Sequence, residues 1–141
     1  MLSDSEEVGS KSDLQERIWR AQSHIERAIE ILEDPLVDPQ LEILRGLDDS
    51  DQRWVQGVAH EVKEMRREIP VIGRMFNRLI QIVGTGNYKI STVVRVQSFL
   101  EYSASYIGGF ISPFPKNYKF FEELYKKVFL HVRSSSESLK D

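Results

Sequence analysis

The sequence predicts an all-α fold, a compact helical bundle in which an apolar helix at about residues 88–111 is wrapped by amphipathic helices. Apolar residues recur at steps of three and four through most of the chain, which is the helical period, and no stretch alternates with the period of two that a strand requires. Helix-breaking residues divide the chain into helix-sized segments, at Pro35, Pro70, the turn 84–87 and Pro113. The length of 141 residues fits one domain.

Polar, serine-containing segments lie at both ends of the chain. Residues 1–11 and 134–141 lack the apolar side chains that a packed core needs, so we expect both to be disordered. Residues 12–133 then form a single helical domain.

The first two helices have recognisable starts and ends. The first is predicted at about 13–33 with Ser12 as its cap. A short second helix begins at Pro39, is capped by Asp38 and ends before Gly46. One face of the first helix carries an apolar stripe of Leu14, Ile18, Ala21, Ile25, Ala28 and Leu32.

Residues 51–83 carry the most regular apolar pattern in the chain, but Pro70 interrupts it. Proline lacks an N–H group and crowds the preceding turn, so it kinks or ends a helix. We therefore predict two helices, at about 51–67 and 71–83. The alternative is one bent helix in an elongated bundle.

The next helix, at about 88–111, has apolar residues on most of its circumference. A helix of this kind belongs at the centre of a domain, because every face seeks a packing partner. Pro113 and Pro115 end it, and the last helix follows at about 117–133.

Composition excludes several classes of protein. The chain has no cysteine, which excludes disulfides and cysteine–zinc sites, and its three histidines have no metal-ligand spacing, so we predict no metal and no cofactor. No apolar run is long enough for a transmembrane anchor, and we expect a soluble, cytoplasmic protein. Residues 1–51 hold 14 acidic and 5 basic side chains, and the remainder 8 and 14. Because the basic residues are not interleaved with aromatic ones, we predict no nucleic-acid partner.

One pair of side chains suggests catalysis. Arg53 and His60 are seven residues apart, so a helix places them on one face, two turns from each other. An arginine and a histidine at about this spacing mark the active site of HEPN-type ribonucleases, where the arginine would hold phosphate and the histidine would transfer a proton. Trp54 stands where those enzymes usually have a polar residue. We predict that the chain is not an enzyme and keep this ribonuclease as a less favoured alternative.

The middle of the chain resembles a known family. A turn that contains Gly84 is followed by residues 87–90, NYKI. This segment resembles the BH-one motif, Asn-Trp-Gly-Arg-Ile/Val, of the Bcl-two family of apoptosis regulators, with Tyr88 in place of the tryptophan and Lys89 in place of the arginine. Residues 41–49, LEILRGLDD, resemble the family's BH-three segment. The family's BH-two pattern is not found.

The resemblance implies an apoptosis inhibitor that sequesters pro-apoptotic BH-three helices in a hydrophobic surface groove. Lys89 would pair with an aspartate of the ligand. The short chain without a tail anchor is similar to the members that large DNA viruses encode, which implies the host cytoplasm. The groove residues that the resemblance implies are Met65, Phe76, Leu79, Ile80, Lys89, Thr92, Val93 and Val96.

Two other interpretations stay open. The chain is a helical adaptor or a subunit of an oligomeric complex without an apoptotic role, or it is the ribonuclease with Arg53 and His60 at its active site. Self-association as a homodimer is compatible with any of them. An unbroken helix across Pro70 would favour the elongated bundle of an adaptor, and a broken one the apoptosis regulator.

Overall fold

A computed structural model describes residues 4–46, 52–110 and 118–140, and five helices make up this part of the chain. Within these ranges the side chains are described from residues 13, 55 and 118 onward. Within them there is no strand, so the predicted all-α bundle is confirmed. The helices are α1 (Asp4–Leu32), α2 (Val37–Arg45), α3 (Gln52–Gly84), α4 (Ile90–Gly108) and α5 (Lys119–Lys140).

The four long helices run alternately up and down. The α1 and α3 helices are antiparallel, because Gln22 near the middle of α1 bonds to Asn77 and the end of α1 accepts a bond at Leu32 O from Arg66 Nε (3.0 Å). Short α2 crosses between them, where Asp38 pairs with Arg66 at 2.8 Å. Up-down-up-down order is the simplest topology for helices joined by short connections.

The α5 helix returns along both α1 and α4. Ser135 Oγ donates to Ala21 O over 2.8 Å, and Arg17 Nη1 donates to the carbonyl of Leu139 over 3.2 Å, so α5 is antiparallel to α1. Lys140 pairs with Glu101 of α4 at 2.8 Å. The resulting order in space is α3, α1, α5, α4, and α3 makes few close backbone contacts with α4.

The central helix of the bundle is α1. Its six-residue apolar stripe, predicted from its spacing, is at most 3% exposed and packs between α3 and α5. Two of the six are alanines, which lets the neighbouring backbones approach closely. The core is completed by the regular stripe of α3 and the buried face of α5.

The expectation that residues 88–111 form the central helix is wrong. Along α4, Ile90, Val94, Tyr102 and Tyr106 are exposed, and α5 is its one extensively packed neighbour among the described helices. The apolar pattern correctly indicates that most faces of this helix are hydrophobic. It does not indicate how many neighbouring helices are available to cover those faces.

The α3 helix is continuous across Pro70, so the prediction of two helices is wrong and the alternative of a single helix is correct. Proline removes only one hydrogen bond of the ladder, to the carbonyl four residues earlier. The buried stripe keeps its phase across the proline, with Ile69 and Ile72 both 1% exposed, and α1 supports both halves. Tertiary packing therefore outweighs the local cost.

Both ends of the chain contain more helix than predicted. The α1 helix begins at Asp4, so Ser12 lies inside it and does not cap it. The α5 helix continues to Lys140, and the segment that was expected to be a disordered tail buries Ser135, Ser136 and Leu139. Ser135 can be buried here because its hydroxyl donates a hydrogen bond to the α1 backbone. The predicted stop at Pro113 and Pro115 lies outside the described residues.

Replacement of Pro70 by alanine should stabilise the protein. The substitution restores the missing N–H and removes the steric crowding inside a continuous helix, so we expect the free energy of unfolding to rise by about 1–3 kcal/mol. Urea denaturation followed by circular dichroism measures it. Pro39→Ala is the matched control, because Pro39 lies in the first turn of α2, where proline is tolerated. A loss of stability in Pro70→Ala would mean that the proline marks a real helix boundary.

Candidate functional site

An apolar groove lies between α3 and α4, on the one side of the four-helix arrangement where neighbouring described helices make few close backbone contacts. It encloses about 300 Å³. Its lining consists of Met65, Ile69, Ile72, Phe99, Tyr102, Tyr106 and Ile107, together with the polar residues Glu64, Glu68 and Ser103.

The two walls of this groove differ in chemistry. The α3 wall is aliphatic and belongs to the regular buried stripe of that helix. The α4 wall is aromatic: Tyr102 stacks on Tyr106 with ring centroids 6.4 Å apart, and Tyr106 meets Phe110 edge-on at 4.7 Å. Phe99, Tyr102 and Tyr106 occur at spacings of three and four, so they share one side of α4. These rings line the groove from the α4 side, and Tyr102 and Tyr106 stay largely exposed.

The α3 edge of the groove is acidic. Glu64 and Glu68 both line it, and Arg67 pairs with Glu64 at 2.6 Å and with Glu68 at 3.3 Å. Arg67 is largely exposed, so these pairs are screened by water and hold the carboxylates weakly. The lining residues from α4 carry no charge. The groove therefore presents an apolar floor with negative charge along one edge.

A partly buried hydrogen bond links α5 to α3 beside this edge. The Tyr125 hydroxyl donates to Glu61 Oε1 over 2.9 Å, and Tyr125 is fully buried. Burial raises the pKa of Glu61 above its ordinary value, while the bond from Tyr125 and the nearby His60 oppose the rise. Burial, followed by the neighbouring Glu61, raises the pKa of Tyr125 as well. The tyrosine is thus a neutral donor that fixes the position of α5 against α3.

The groove residues implied by the family resemblance lie in several different environments. Met65 lines the observed groove. Phe76, Leu79, Val93 and Val96 are buried in the core, Ile80 and Thr92 are half-buried, and Lys89 is exposed immediately before α4. At about 1.5 Å per residue, Lys89 lies about 20 Å along the helix from Tyr102.

The observed groove is therefore at the opposite end of the α3–α4 pair from the expected one. The short connection 85–89 holds the adjoining ends of the two helices together, so residues there pack as core. Beyond this connection α3 and α4 make few close backbone contacts and leave the groove between them. A sequence signal for the observed lining is the excess of aromatic residues in the second half of α4, at positions that a single buried face cannot accommodate. The groove residues that the sequence reasoning missed are the apolar Ile69, Ile72, Phe99, Tyr102, Tyr106 and Ile107 and the polar Glu64, Glu68 and Ser103.

The residues of the ribonuclease alternative lie elsewhere. The side chain of Arg53 is outside the described part of the chain. His60 is exposed and lines a second pocket between α2 and α3, of about 350 Å³, with Arg45, Lys63, Arg66 and Asp38 among its other lining residues. Arg45 pairs with Glu42, and Arg66 with Asp38. This pocket combines charged and apolar side chains, and two of its cations are already engaged in internal ion pairs.

Two histidines meet across the α1–α5 interface. His24 Nδ1 and His131 Nδ1 are 3.1 Å apart, a distance at which one ring donates its proton to the other. Burial lowers the pKa of His131, and the nearby His24 and Arg27 lower it further. The described ranges contain no group of three or more side chains that could ligate a metal ion. The histidine pair by itself would supply two ligands.

The chain as a whole matches nothing in three comparisons. Protein-family models, curated proteins and solved structures all give no match. Among the helices of the described ranges, none is long and apolar enough to cross a membrane. The likeness to the Bcl-two family therefore stays a prediction from a short segment.

The histidine pair should make stability depend on pH. The folded state lowers the pKa of His131 below its ordinary value of 6.5, so the unfolded chain takes up this proton first as the pH falls. The contribution of this lowered pKa to the free energy of unfolding is fully present above pH 6.5. It is lost as the pH falls through 6.5 toward the lower pKa of His131 in the folded state. Urea unfolding at a series of pH values between about 7.5 and 5 measures the loss.

His131→Gln should flatten this pH dependence, because glutamine does not take up a proton in this range. His60→Gln, which changes a histidine outside the pair, is the matched control. If His131→Gln and the unmodified protein lose stability in parallel, the interaction across α1 and α5 is not the cause.

Proposed function

We propose that this chain is a non-catalytic interaction module that binds an amphipathic helix of a partner protein in the α3–α4 groove. The observation that carries the proposal is the open, apolar side of a bundle whose other long helices pack closely on their neighbours. A helix that lays its apolar face into such a groove is a common mode of peptide recognition. An incoming helix would occupy the space that α3 and α4 leave between them.

The size of the groove limits the affinity. Its α4 wall spans residues 99–107, about two helical turns, which is enough for two or three apolar anchors of a ligand helix. Each buried anchor contributes about 1.5–3 kcal/mol before the entropic costs of association. We therefore expect dissociation constants in the micromolar range.

The charge of the groove favours a basic ligand helix. Glu64 and Glu68 line one edge, and exposed Tyr102 and Tyr106 lie opposite. A lysine or arginine that flanks the apolar stripe of the ligand meets a carboxylate on one side or an aromatic face on the other. The preferred ligand therefore has an apolar stripe with basic flanks.

Inhibition of apoptosis by capture of a BH-three helix is the narrower form of this proposal. It rests on the motif at residues 87–90 and on an apolar groove beside α3 and α4. The continuous α3 and the distance between Lys89 and the groove favour instead an adaptor without an apoptotic role. We therefore propose the helix-binding adaptor as the function and a BH-three helix as one ligand to be tested. The narrower proposal also includes a location in the cytoplasm. For a viral protein this is the cytoplasm of the host.

Titration calorimetry with two kinds of peptide tests the groove. A helical peptide with a leucine stripe and basic flanks should bind with micromolar affinity, and a panel of BH-three peptides tests the narrower proposal. Ser103→Trp fills the groove and should weaken binding at least tenfold, whereas Ser105→Trp, on α4 but outside the lining, should not. Glu68→Lys should weaken the basic peptide several-fold through repulsion.

The outcomes separate the two forms of the proposal. Binding of the basic peptide alone supports the adaptor, and binding of BH-three peptides that Ser103→Trp abolishes supports the apoptotic role. If no peptide binds at high micromolar concentration, or if both tryptophan variants bind equally well, the groove is not a helix-binding site.

A ribonuclease is the second candidate, and one observation favours it: His60 shares a pocket with Lys63, Arg45 and Arg66, which are groups that attract phosphate. We expect no cleavage of a labelled single-stranded RNA by the purified protein, because two of these cations are engaged in ion pairs. RNA cleavage that His60→Ala abolishes and Lys63→Ala weakens would instead establish an enzyme.

A further inference from the structure

Two histidines from distant parts of the sequence lie side by side at the interface between α1 and α5. His24 and His131 are 107 residues apart in the chain, so no local spacing reveals the pair. Their Nδ1 atoms are 3.1 Å apart, and both side chains are half-buried. Solvent therefore reaches one side of the pair, while the bundle covers the other.

The packing of both helices holds the backbones of the two histidines in place. Ile25 and Val132, which directly follow the two histidines in the chain, are fully buried. About one turn away, the hydrogen bond of 2.8 Å from Ser135 to the carbonyl of Ala21 joins the same two helices. The pair is thus preorganised, and a ligand between the rings does not have to order the chain first.

We propose that His24 and His131 together bind one late first-row transition metal ion, Cu²⁺ in preference to the others, as a bridge between α1 and α5. Neutral imidazole is a common ligand of these ions. Metal–nitrogen distances of about 2.0–2.1 Å and the nitrogen separation of 3.1 Å give an N–metal–N angle of about 98°.

This angle favours Cu²⁺. It is close to the angle of roughly 90° between neighbouring ligands in the tetragonal geometry that Cu²⁺ adopts with nitrogen and oxygen ligands. Cu²⁺ also has the highest affinity of the divalent first-row ions for a given set of such ligands. Mg²⁺ prefers oxygen ligands, so the pair discriminates against it.

Binding requires only small movements of the two rings. The ring centroids are 5.4 Å apart and the ring planes are tilted by 37°, so one Nδ1 faces the other. Rotation about χ2, which is a broad torsion in histidine, directs both lone pairs at one point beside the line between the nitrogens. The ring that donates the hydrogen bond moves its proton from Nδ1 to Nε2 through solvent, and no net proton is released.

Water completes the coordination of the ion. The described ranges contain no group of three or more side chains that could ligate a metal ion, and the exposed side of the pair leaves room for water ligands. A site with two protein ligands binds more weakly than a structural site with four. We therefore expect a dissociation constant for Cu²⁺ in the micromolar range.

The positive charge of Arg27 opposes the binding of a cation. Arg27 lies one turn after His24 on α1 and is exposed, so water and salt screen its charge. Removal of this charge in Arg27→Gln should tighten Cu²⁺ binding several-fold at low ionic strength. The difference between Arg27→Gln and the unmodified protein should shrink as salt is added.

Titration calorimetry with Cu²⁺ on the untagged protein, at about pH 7.5 where ordinary imidazole is neutral, tests the site. The unmodified protein should bind one ion per chain, and Mg²⁺ should not bind. His24→Gln and His131→Gln should each weaken Cu²⁺ binding at least tenfold. His60→Gln, which removes the third histidine of the chain, is the matched control and should bind as the unmodified protein does.

Two further measurements connect the binding with the structure. Electron paramagnetic resonance of the Cu²⁺ complex of the unmodified protein should show hyperfine coupling to two imidazole nitrogens, and this readout needs no variant. Because the ion joins α1 to α5, saturating Cu²⁺ should raise the melting temperature of the unmodified protein and of His60→Gln. It should leave that of His131→Gln unchanged, and circular dichroism checks that each variant is folded.

Three results would overturn the proposal. The first is the absence of Cu²⁺ binding by the unmodified protein up to millimolar concentration. The second is equal binding by His24→Gln, His131→Gln and His60→Gln, which would mean an adventitious ion only. The third is coupling to a single imidazole nitrogen.

The metal site is independent of the groove, because the histidine pair lies between α1 and α5 and the groove between α3 and α4. Ser103→Trp should therefore leave Cu²⁺ binding unchanged, and His131→Gln should still bind the basic helical peptide. Cu²⁺ binding that Ser103→Trp weakens would place the ion in the groove and contradict the histidine site.

Discussion

Burial of the apolar stripe of α1 between α3 and α5 is the constraint on which the rest of the bundle depends. The four large aliphatic side chains of the stripe are at most 3% exposed, and each stabilises the fold by about 2 kcal/mol. The two alanines between them bring the backbones of α3 and α5 close enough for direct bonds, such as that from Ser135 to Ala21. Because α1 occupies the centre, the directions of α3 and α5 are determined by it.

The position of α1 leaves α4 at the edge of the bundle. The α4 helix packs along α5 and is joined to α3 by a short connection, but it makes few close backbone contacts with α3, and its aromatic residues line the groove between the two helices. The groove toward α3 results, and Ile90 and Val94 of α4 stay exposed. Both features follow because α4 has more apolar circumference than its neighbours cover.

Much of this fold is predictable from the spacing of apolar residues, and the rest is not, for physical reasons. The stripe of α1 is buried at all six predicted positions, and the regular apolar pattern of α3 is buried from Val55 to Val83. The prediction of two helices at Pro70 was wrong because the energetic cost of the proline is local. The packing that offsets this cost comes from α1, which is far away in sequence. For α4, spacing identified an unusually apolar helix but did not reveal which of its faces would find partners. Of the groove residues, Met65 was anticipated; the others depend on where α3 and α4 diverge, which no local pattern encodes.

Residue-resolved amide hydrogen exchange under native conditions tests most directly whether α1, and not α4, is the centre of the protein. Amides in buried central helices exchange through global unfolding, and those in peripheral helices exchange through smaller openings. We expect the slowest exchange in α1 between Ile18 and Ala28 and in the α3 segment that packs on it. The second half of α4 should exchange faster, through opening of the side next to the groove. Slowest exchange in α4 would instead contradict the central position of α1 and show that the bundle is organised around α4.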